Sequence, residues 1–393
     1  MTFDAIVVGA RVAGAPTAML LARAGRRVLL LDRATFPSDV TSTHLIHVPG
    51  MAYLRRWGLH DAVANAGAPP LQRFSMDFGP FTISAPPPAD DGAAHPYCVR
   101  RTVLDAILLD AARSAGVVVR EGTAVEGLLH SSGRVTGVRG EGFEEHASIV
   151  IGADGLRSVV ARSAGAGTYD ATPSLTACYY AYYQGVQPRE AAEIYQLGDR
   201  AVVLFPTNDG ATCVFVACPA AQFHDFRTDV EAGYAQALAR VPAVAARVAA
   251  ATRIGRMHAT ADVPNFFRTS AGPGWALVGD AGYHKDPVMA AGITDAFVAA
   301  QLLADAVHKG LADDLDAAVS AYAEERDRRF RPALQLTCQL ASMEPPAPEM
   351  AALFATIAAS EAESTRFFGV MQGSTPIAEY FAPDNLARIM TGA

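Results

Sequence analysis

Gly9, Gly14 and Asp32 are the first residues whose types and spacing can do chemistry. They lie in DAIVVGARVAGAPTAMLLARAGRRVLLLDR, residues 4–33. Ala5 to Val8 reads as a buried strand, Gly9 allows a tight turn, and Ala13 to Arg23 reads as a helix whose N-terminus points back at that turn. Free amides in the first helical turn and the helix dipole favour a pyrophosphate there. Asp32, with Arg33 beside it, follows 18 residues beyond Gly14 and is placed to accept hydrogen bonds from a ribose diol. The run is the layout of a dinucleotide-binding strand-helix-strand unit. Arg11 stands where the middle glycine of GxGxxG belongs, a glycine that lets backbone approach phosphates closely. It either adds its own charge to the pyrophosphate or spoils the site. The downstream motifs favour the first: a cation tolerated beside the pyrophosphate.

Two later groups repeat the logic. Ile149 to Ala153 is apolar throughout, as a strand covered on both faces should be, and delivers Asp154-Gly155 at its carboxyl end, where ligands collect. Trp275 to Val278 leads to Gly279-Asp280, then Pro287, then a helix beginning near Gly292. Asp280 can hydrogen-bond the hydroxyls of a sugar-alcohol chain, and the helix start offers amides to an anionic ring oxygen.

Positioning these groups takes more than one lobe. A chain of 393 residues, 51% hydrophobic, exceeds the ~250–300 residues at which single cores usually divide. Segments 1–74, 98–165 and 255–331 are expected to form a discontinuous nucleotide lobe. Short strand candidates separated by Gly, Pro, Asn and Asp, from Leu175 to Cys218, predict an antiparallel sheet. This second lobe is assigned to 75–97 and 166–254, with helices at Val230–Arg240 and Ala243–Ala251. A helix over Ser320 to Arg331 and another helical stretch over Met350 to Gly369 follow, with 332–393 expected as a helical C-terminal region. The fold class expected is α/β: a Rossmann-like nucleotide lobe, an inserted antiparallel sheet and C-terminal helices. On the strand at Leu175–Gln184, alternation puts Tyr180 and Tyr182 on one face and Tyr179 and Tyr183 on the other. Tyr180, Tyr182, Phe205 and Pro206 are the substrate-cavity candidates, with ordinary sheet packing the alternative.

The net charge of -8 gives no broad basic field for nucleic acid or an anionic membrane. No uncharged apolar run approaches the ~20 residues of a membrane span. Five cysteines without a metal-ligand spacing fit a reducing cytoplasm, and no metal site is expected.

The ordered set of glycine turn, Asp154-Gly155, Gly279-Asp280, Pro287 and Gly292-Ile293 resembles the FAD-dependent monooxygenases of the p-hydroxybenzoate hydroxylase type, relatives of geranylgeranyl reductases and flavin halogenases. The resemblance covers roughly residues 1 to 330. It implies that Gly9 and Gly14 face the FAD pyrophosphate, Asp32 the adenosine ribose and Arg101 the flavin side chain, with Arg11, Ala13 and Arg33 also among the cofactor-binding residues. It implies that Asp154-Gly155 serves FAD and NAD(P)H, that Gly279 and Asp280 meet the ribityl chain, and that Pro287, Gly292 and Ile293 border the ring. The chain departs from the family pattern at Tyr283, where histidine is common, at Ala290, where glycine is common, and at Thr294 for asparagine. His44, His47 and Tyr283 are the catalytic candidates, histidine being able to relay protons near neutral pH. Lys285, beside Asp286, reads as a solvated pair.

The activity implied is reduction of FAD by NADPH or NADH, addition of O2 at flavin C4a, and hydroxylation or epoxidation of an apolar or aromatic small molecule by the hydroperoxide. A flavin-dependent alkene reductase is the first rival. A non-enzymatic binding protein on the same fold, of the Rab escort type, is the second.

Overall fold

The computed structural model describes residues 2–186 and 191–391, with backbone alone for 225–227. Phe3–Val8 forms the middle of a parallel sheet, flanked by Val28–Leu31 and by Phe143–Gly152. Val118–Arg120 and Trp275–Leu277 extend it on the two sides. Its strands are apolar on both faces because both are covered. Ala5, Val7, Leu30, Ile149 and Ile151 pack under the helices Gly14–Arg23, Arg101–Ser114 and Gly292–Gly310. Ile6, Val8, Leu29, Leu31 and Val150 pack instead under Leu128, Val135, Val138 and Val160. Parallel strands release their loops at one edge. The turns after Val8, Leu31, Gly152 and Leu277 therefore emerge together, and they carry Gly9, Asp32, Asp154 and Gly279.

The second sheet runs in the order Thr252–Thr260, Thr176–Gln184, Ala211–Pro219, Ala201–Pro206, Ala191–Gln196, Arg73–Asp77, Thr82–Ala85. Its pairings are antiparallel except that of Ala191–Gln196 with Arg73–Asp77, which is parallel. One face, with Tyr179 and Tyr183, packs on Val230–Ala239 and Pro242–Ala249. The opposite face, with Tyr180, Tyr182, Phe205 and Phe215, packs with Leu353, Ile357, Phe367, Phe368 and Tyr380 of the C-terminal helices. A small sheet of Thr168–Thr172, Asn265–Arg268 and Tyr283–His284 lies between the lobes in the chain's course.

Three expected boundaries move. Strand Thr252–Thr260 continues across 254/255 and Arg73–Asp77 across 74/75, since both ladders belong wholly to the second sheet. Helix Leu315–Ala341 runs through Pro332, across the expected 331/332 break. Phe330 and Leu334 on either side of the proline are both buried in the main core, so packing outweighs the one backbone bond that proline removes. The stretch expected at Met350–Gly369 is two helices, Pro348–Ala358 and Glu361–Gln372. Ser360 separates them, capping the second by accepting from the Glu363 amide.

Candidate cofactor site

The glycine turn is built by close approach of backbones. Gly9 has φ +102°, and a Cβ there would lie 2.4 Å from the Ala153 carbonyl oxygen. A Cβ on Gly14 would lie 1.7 Å from the Gly9 oxygen, which no side chain can tolerate. The helix that follows has Ala13 as N-cap, with no side-chain cap and no acid in its first turn, so its positive end is left for a ligand. Asp32 braces the turn. Its two oxygens accept from the Ala10 amide at 2.7 Å and the Ala34 amide at 2.8 Å, and each keeps a lone pair for a diol. Arg33 beside it is exposed.

Arg11 and Arg101 converge on a residue that the sequence reading missed. Arg11 donates to Asp105 Oδ2 at 2.7 Å and to the Ser38 carbonyl and hydroxyl, both at 3.0 Å, with its guanidinium over Phe36. Arg101 grips the same carboxylate at 2.9 and 3.1 Å. Asp105 is fully buried. Arg11 is therefore anchored by protein groups, which corrects the picture of a cation merely tolerated beside a pyrophosphate. One carboxylate facing two guanidiniums still leaves net positive charge behind the turn. The signal available was the Arg101–Asp105 spacing, i to i+4 on a helix.

Asp154 also differs from its expected part. It accepts from the Ser158 hydroxyl at 2.5 Å and from the Val159 and Val160 amides at 2.6 and 3.3 Å, holding the start of helix Val159–Ser163. Burial raises its pKa. Gly155, at φ +77°, makes the bend between. The hydrogen bonds that Asp154 accepts are thus local, from residues 158–160.

The second turn meets the first. A Cβ on Gly279, at φ +62°, would lie 2.7 Å from the Ala13 Cβ. Asp280 is exposed at the tip and shares one cleft with Gly279, Gly292, Tyr283, Lys285 and Asp295. Gly292 is exposed at the start of helix Gly292–Gly310, whose N-cap Ala291 supplies no side-chain bond. Ile293 is buried behind it, and Pro287 opens a short 3-10 turn capped by Asp286. Ala290, in place of the common glycine, adopts φ +52°, a left-handed conformation costing about 1 kcal/mol for a residue with a Cβ. Lys285 is no solvated partner of Asp286. Its ammonium pairs with Asp295 at 2.8 Å and its side chain is 5% exposed, while Asp286 accepts from the Thr176 hydroxyl. The true partner sits ten positions on, at the far end of the loop, where no local pattern reveals it.

Tyr283 stacks between Phe267 and Phe330, centroids 4.8 and 5.1 Å away. Its hydroxyl is buried without a hydrogen-bond partner and burial raises its pKa, so the structure gives it a packing role where a proton relay was expected.

His44 and the tyrosines do come together. His44 is fully buried, at φ +60°, with Nε2 bonded to the Tyr182 hydroxyl and its ring stacked on Tyr182. Tyr180 lies edge-on to it, and its hydroxyl accepts from the Ser42 amide. Arg100 covers the Tyr182 ring at 4.3 Å. His44 Nδ1 is buried without a partner. Burial, aided by Arg101 and Arg100, lowers the His44 pKa to about 3. Burial lowers His47 to about 4, and its Nε2 meets the Met289 carbonyl at 3.0 Å while its amide donates to Thr294 Oγ1. Both histidines are neutral at physiological pH, which corrects the expectation of titration near neutrality. Phe205 is buried on the Tyr180 face, and Pro206 ends its strand opposite Thr212.

A nucleotide lobe with two uncapped helix starts, a glycine cradle that a Cβ would fill, and an exposed acid at the second turn define a protein of the dinucleotide-binding class. Residues 2–337 match the FAD binding domain family, and the chain belongs to it. The family's name gives FAD as the group that this domain binds. Protein FixC of Salmonella typhimurium is 31% identical over 229 residues, 55% of this chain and 49% of that protein. The chain thus spans about half the length of the FixC proteins. Digeranylgeranylglycerophospholipid reductase of Methanosarcina mazei is 26% identical over 343 residues, 84% of this chain and 80% of that one. In fold, the chain matches the flavin-dependent brominase Bmp2 with TM-score 0.84 at 18% identity, covering 100% of this chain and 98% of that one. A flavoprotein/dehydrogenase from Cytophaga hutchinsonii matches with TM-score 0.84 at 17% identity, all of both chains being covered. No helix among the described residues is long and apolar enough to cross a membrane, and no cluster of metal-ligating side chains occurs among them.

Proposed function

We propose that the protein is a monooxygenase that uses NADPH or NADH and O2 to hydroxylate or epoxidise an apolar or aromatic small molecule. The observation that carries this reading is the sealed aromatic face beside the cofactor lobe. Tyr180, Tyr182 and Phe205 are buried, His44 is fully buried against the two tyrosines, and the C-terminal helices cover the same face. Excluding water protects a reactive oxygen donor from wasteful decay.

FAD, when bound, supplies electron transfer and the reaction with O2. The chain's residues do the rest. The glycine turn and the first helix hold the diphosphate, with Arg11 and Arg101 behind it as a charge reserve. Asp32 takes the ribose, and Asp280 takes the hydroxyls of the linking chain. Pro287, Gly292 and Ile293 border the ring, and the Gly292 amides favour negative charge there. On the substrate side the neutral His44–Tyr182 pair orients a hydroxyl or carbonyl, Tyr180 and Phe205 pack against apolar parts, and Pro206 shapes the strand end.

The test is substrate-dependent NAD(P)H oxidation under isotopically labelled O2. Labelled oxygen in the product is expected, and product lacking the label sinks the monooxygenase reading. A second reading has one specific support, the similarity to Digeranylgeranylglycerophospholipid reductase over 80% of its length. Anaerobic turnover giving a hydrogenated product identifies an alkene reductase.

A further inference from the structure

Residues 285–295 leave the small sheet after His284, bring Gly292 to the cleft that Gly279 and Asp280 line, and return as a helix. The two ends of this loop are joined by the Lys285–Asp295 ion pair. Inside it, the Ala290 amide donates to the Pro287 carbonyl at 2.8 Å and Ala290 holds its left-handed conformation. From outside, His47 holds Met289 and Thr294. The shape is therefore imposed by contacts at the base and the flank.

Buried ion pairs are weak sources of stability, because desolvation offsets their attraction. Charge placement gives this one a use. Asp295 lies in the first turn of helix Gly292–Gly310, where a carboxylate satisfies the dipole and competes with any anionic ligand for it. Lys285 pairs with that carboxylate inside the cleft that Gly292 and Asp280 also line.

We propose that the Lys285–Asp295 pair is a positioning element for the FAD ring: it closes the 285–295 loop and cancels the Asp295 charge, leaving the Gly292 end free to favour the anionic reduced cofactor. The inference rests on the family's use of FAD. Neither residue touches substrate, and both act through the amides at Gly292.

The experiment compares the FAD dissociation constant and the two-electron midpoint potential in the wild type, Lys285→Met, Lys285→Arg and Asp295→Asn. Lys285→Met leaves Asp295 uncompensated. It should keep oxidised FAD while binding the reduced form about tenfold more weakly, a potential lowered by about 30 mV. Asp295→Asn removes the competing carboxylate and should shift the potential upward. Lys285→Arg should restore the wild-type value. A purely structural tie would weaken FAD binding in both disruptive variants without moving the potential in opposite directions. Unchanged potentials, or shifts of one sign in Lys285→Met and Asp295→Asn, overturn the proposal. Should Lys285→Met fail to fold, the Asp295→Asn shift decides alone, and a downward or null result refutes it. Failure of the wild type to bind FAD would instead refute the cofactor assignment, a distinguishable result.

Discussion

The Gly9–Gly14 turn and the 285–295 loop reach similar ends by different means. The first is made by absence: Gly9 and Gly14 carry no Cβ, so a strand end, a helix start and the Ala153 carbonyl can touch. The second is made by restraint. Ala290 occupies a conformation suited to glycine, and distant groups hold it there: Asp295 for Lys285, and His47 for Met289 and Thr294. A turn made by close approach should fail abruptly when a side chain is added. A turn made by restraint should respond gradually to charge and pH.

Gly14→Val should have the largest effect, because its Cβ would sit 1.7 Å from the Gly9 oxygen. Destabilisation above ~4 kcal/mol is expected, the exceptional range for one substitution, with no yellow protein recovered. Urea unfolding and visible absorbance check it, and a folded, fully yellow variant would break the comparison at its first term. Asp105→Ala should come next, at about 3 kcal/mol, since it strands the buried guanidinium of Arg101 and releases Arg11. A loss below ~1 kcal/mol in urea unfolding would mean that the arginines have adequate partners elsewhere.

The pH dependence tests the restraints. His44 and His47 fall from 6.5 in the unfolded chain to about 3 and about 4 in the fold, both by burial. Their contribution is complete above the unfolded value and is lost as pH falls towards the folded values. Each histidine should cost about 1.4 kcal/mol of stability per pH unit below pH ~6. Urea midpoints measured from pH 7 to 4.5 should show this slope, and His47→Gln should remove about half of it. An unchanged slope in His47→Gln would place the titrating groups elsewhere. The smallest effect should come from Ala290→Gly. Relief of left-handed strain and greater freedom of the unfolded chain oppose each other, so the net change should stay within about 1 kcal/mol with FAD retained. A loss above ~2 kcal/mol would show that the Ala290 methyl, which packs against the aromatic core, matters more than its backbone.

Much of the cofactor lobe was legible because its signals are local. Ala5–Val8, Gly9, Gly14 and Asp32 follow one another within 30 residues, and each declares its backbone demand by type. The tyrosine alternation was equally plain, with Tyr180 and Tyr182 on the C-terminal-helix side and Tyr179 and Tyr183 on the other. Charges were harder. Asp105 serving both Arg11 and Arg101, Asp154 capping a helix, and Lys285 reaching past Asp286 to Asp295 all depend on which groups the fold sets opposite one another. Pro332 misled for a related reason, since its helix is held by the core on either side of it.

The chain's own order of residues determined the strand, glycine and helix of the nucleotide lobe, the α/β class, and the edge where the three motifs had to gather. Periodicity and glycine placement act over a few residues and survive without knowledge of neighbours. Tertiary structure alone decided that His44 is neutral, that Arg11 is anchored, and that Lys285 ties off the 285–295 loop. Ionisation and pairing depend on solvent exclusion and on facing charges, and those exist only once distant segments have packed.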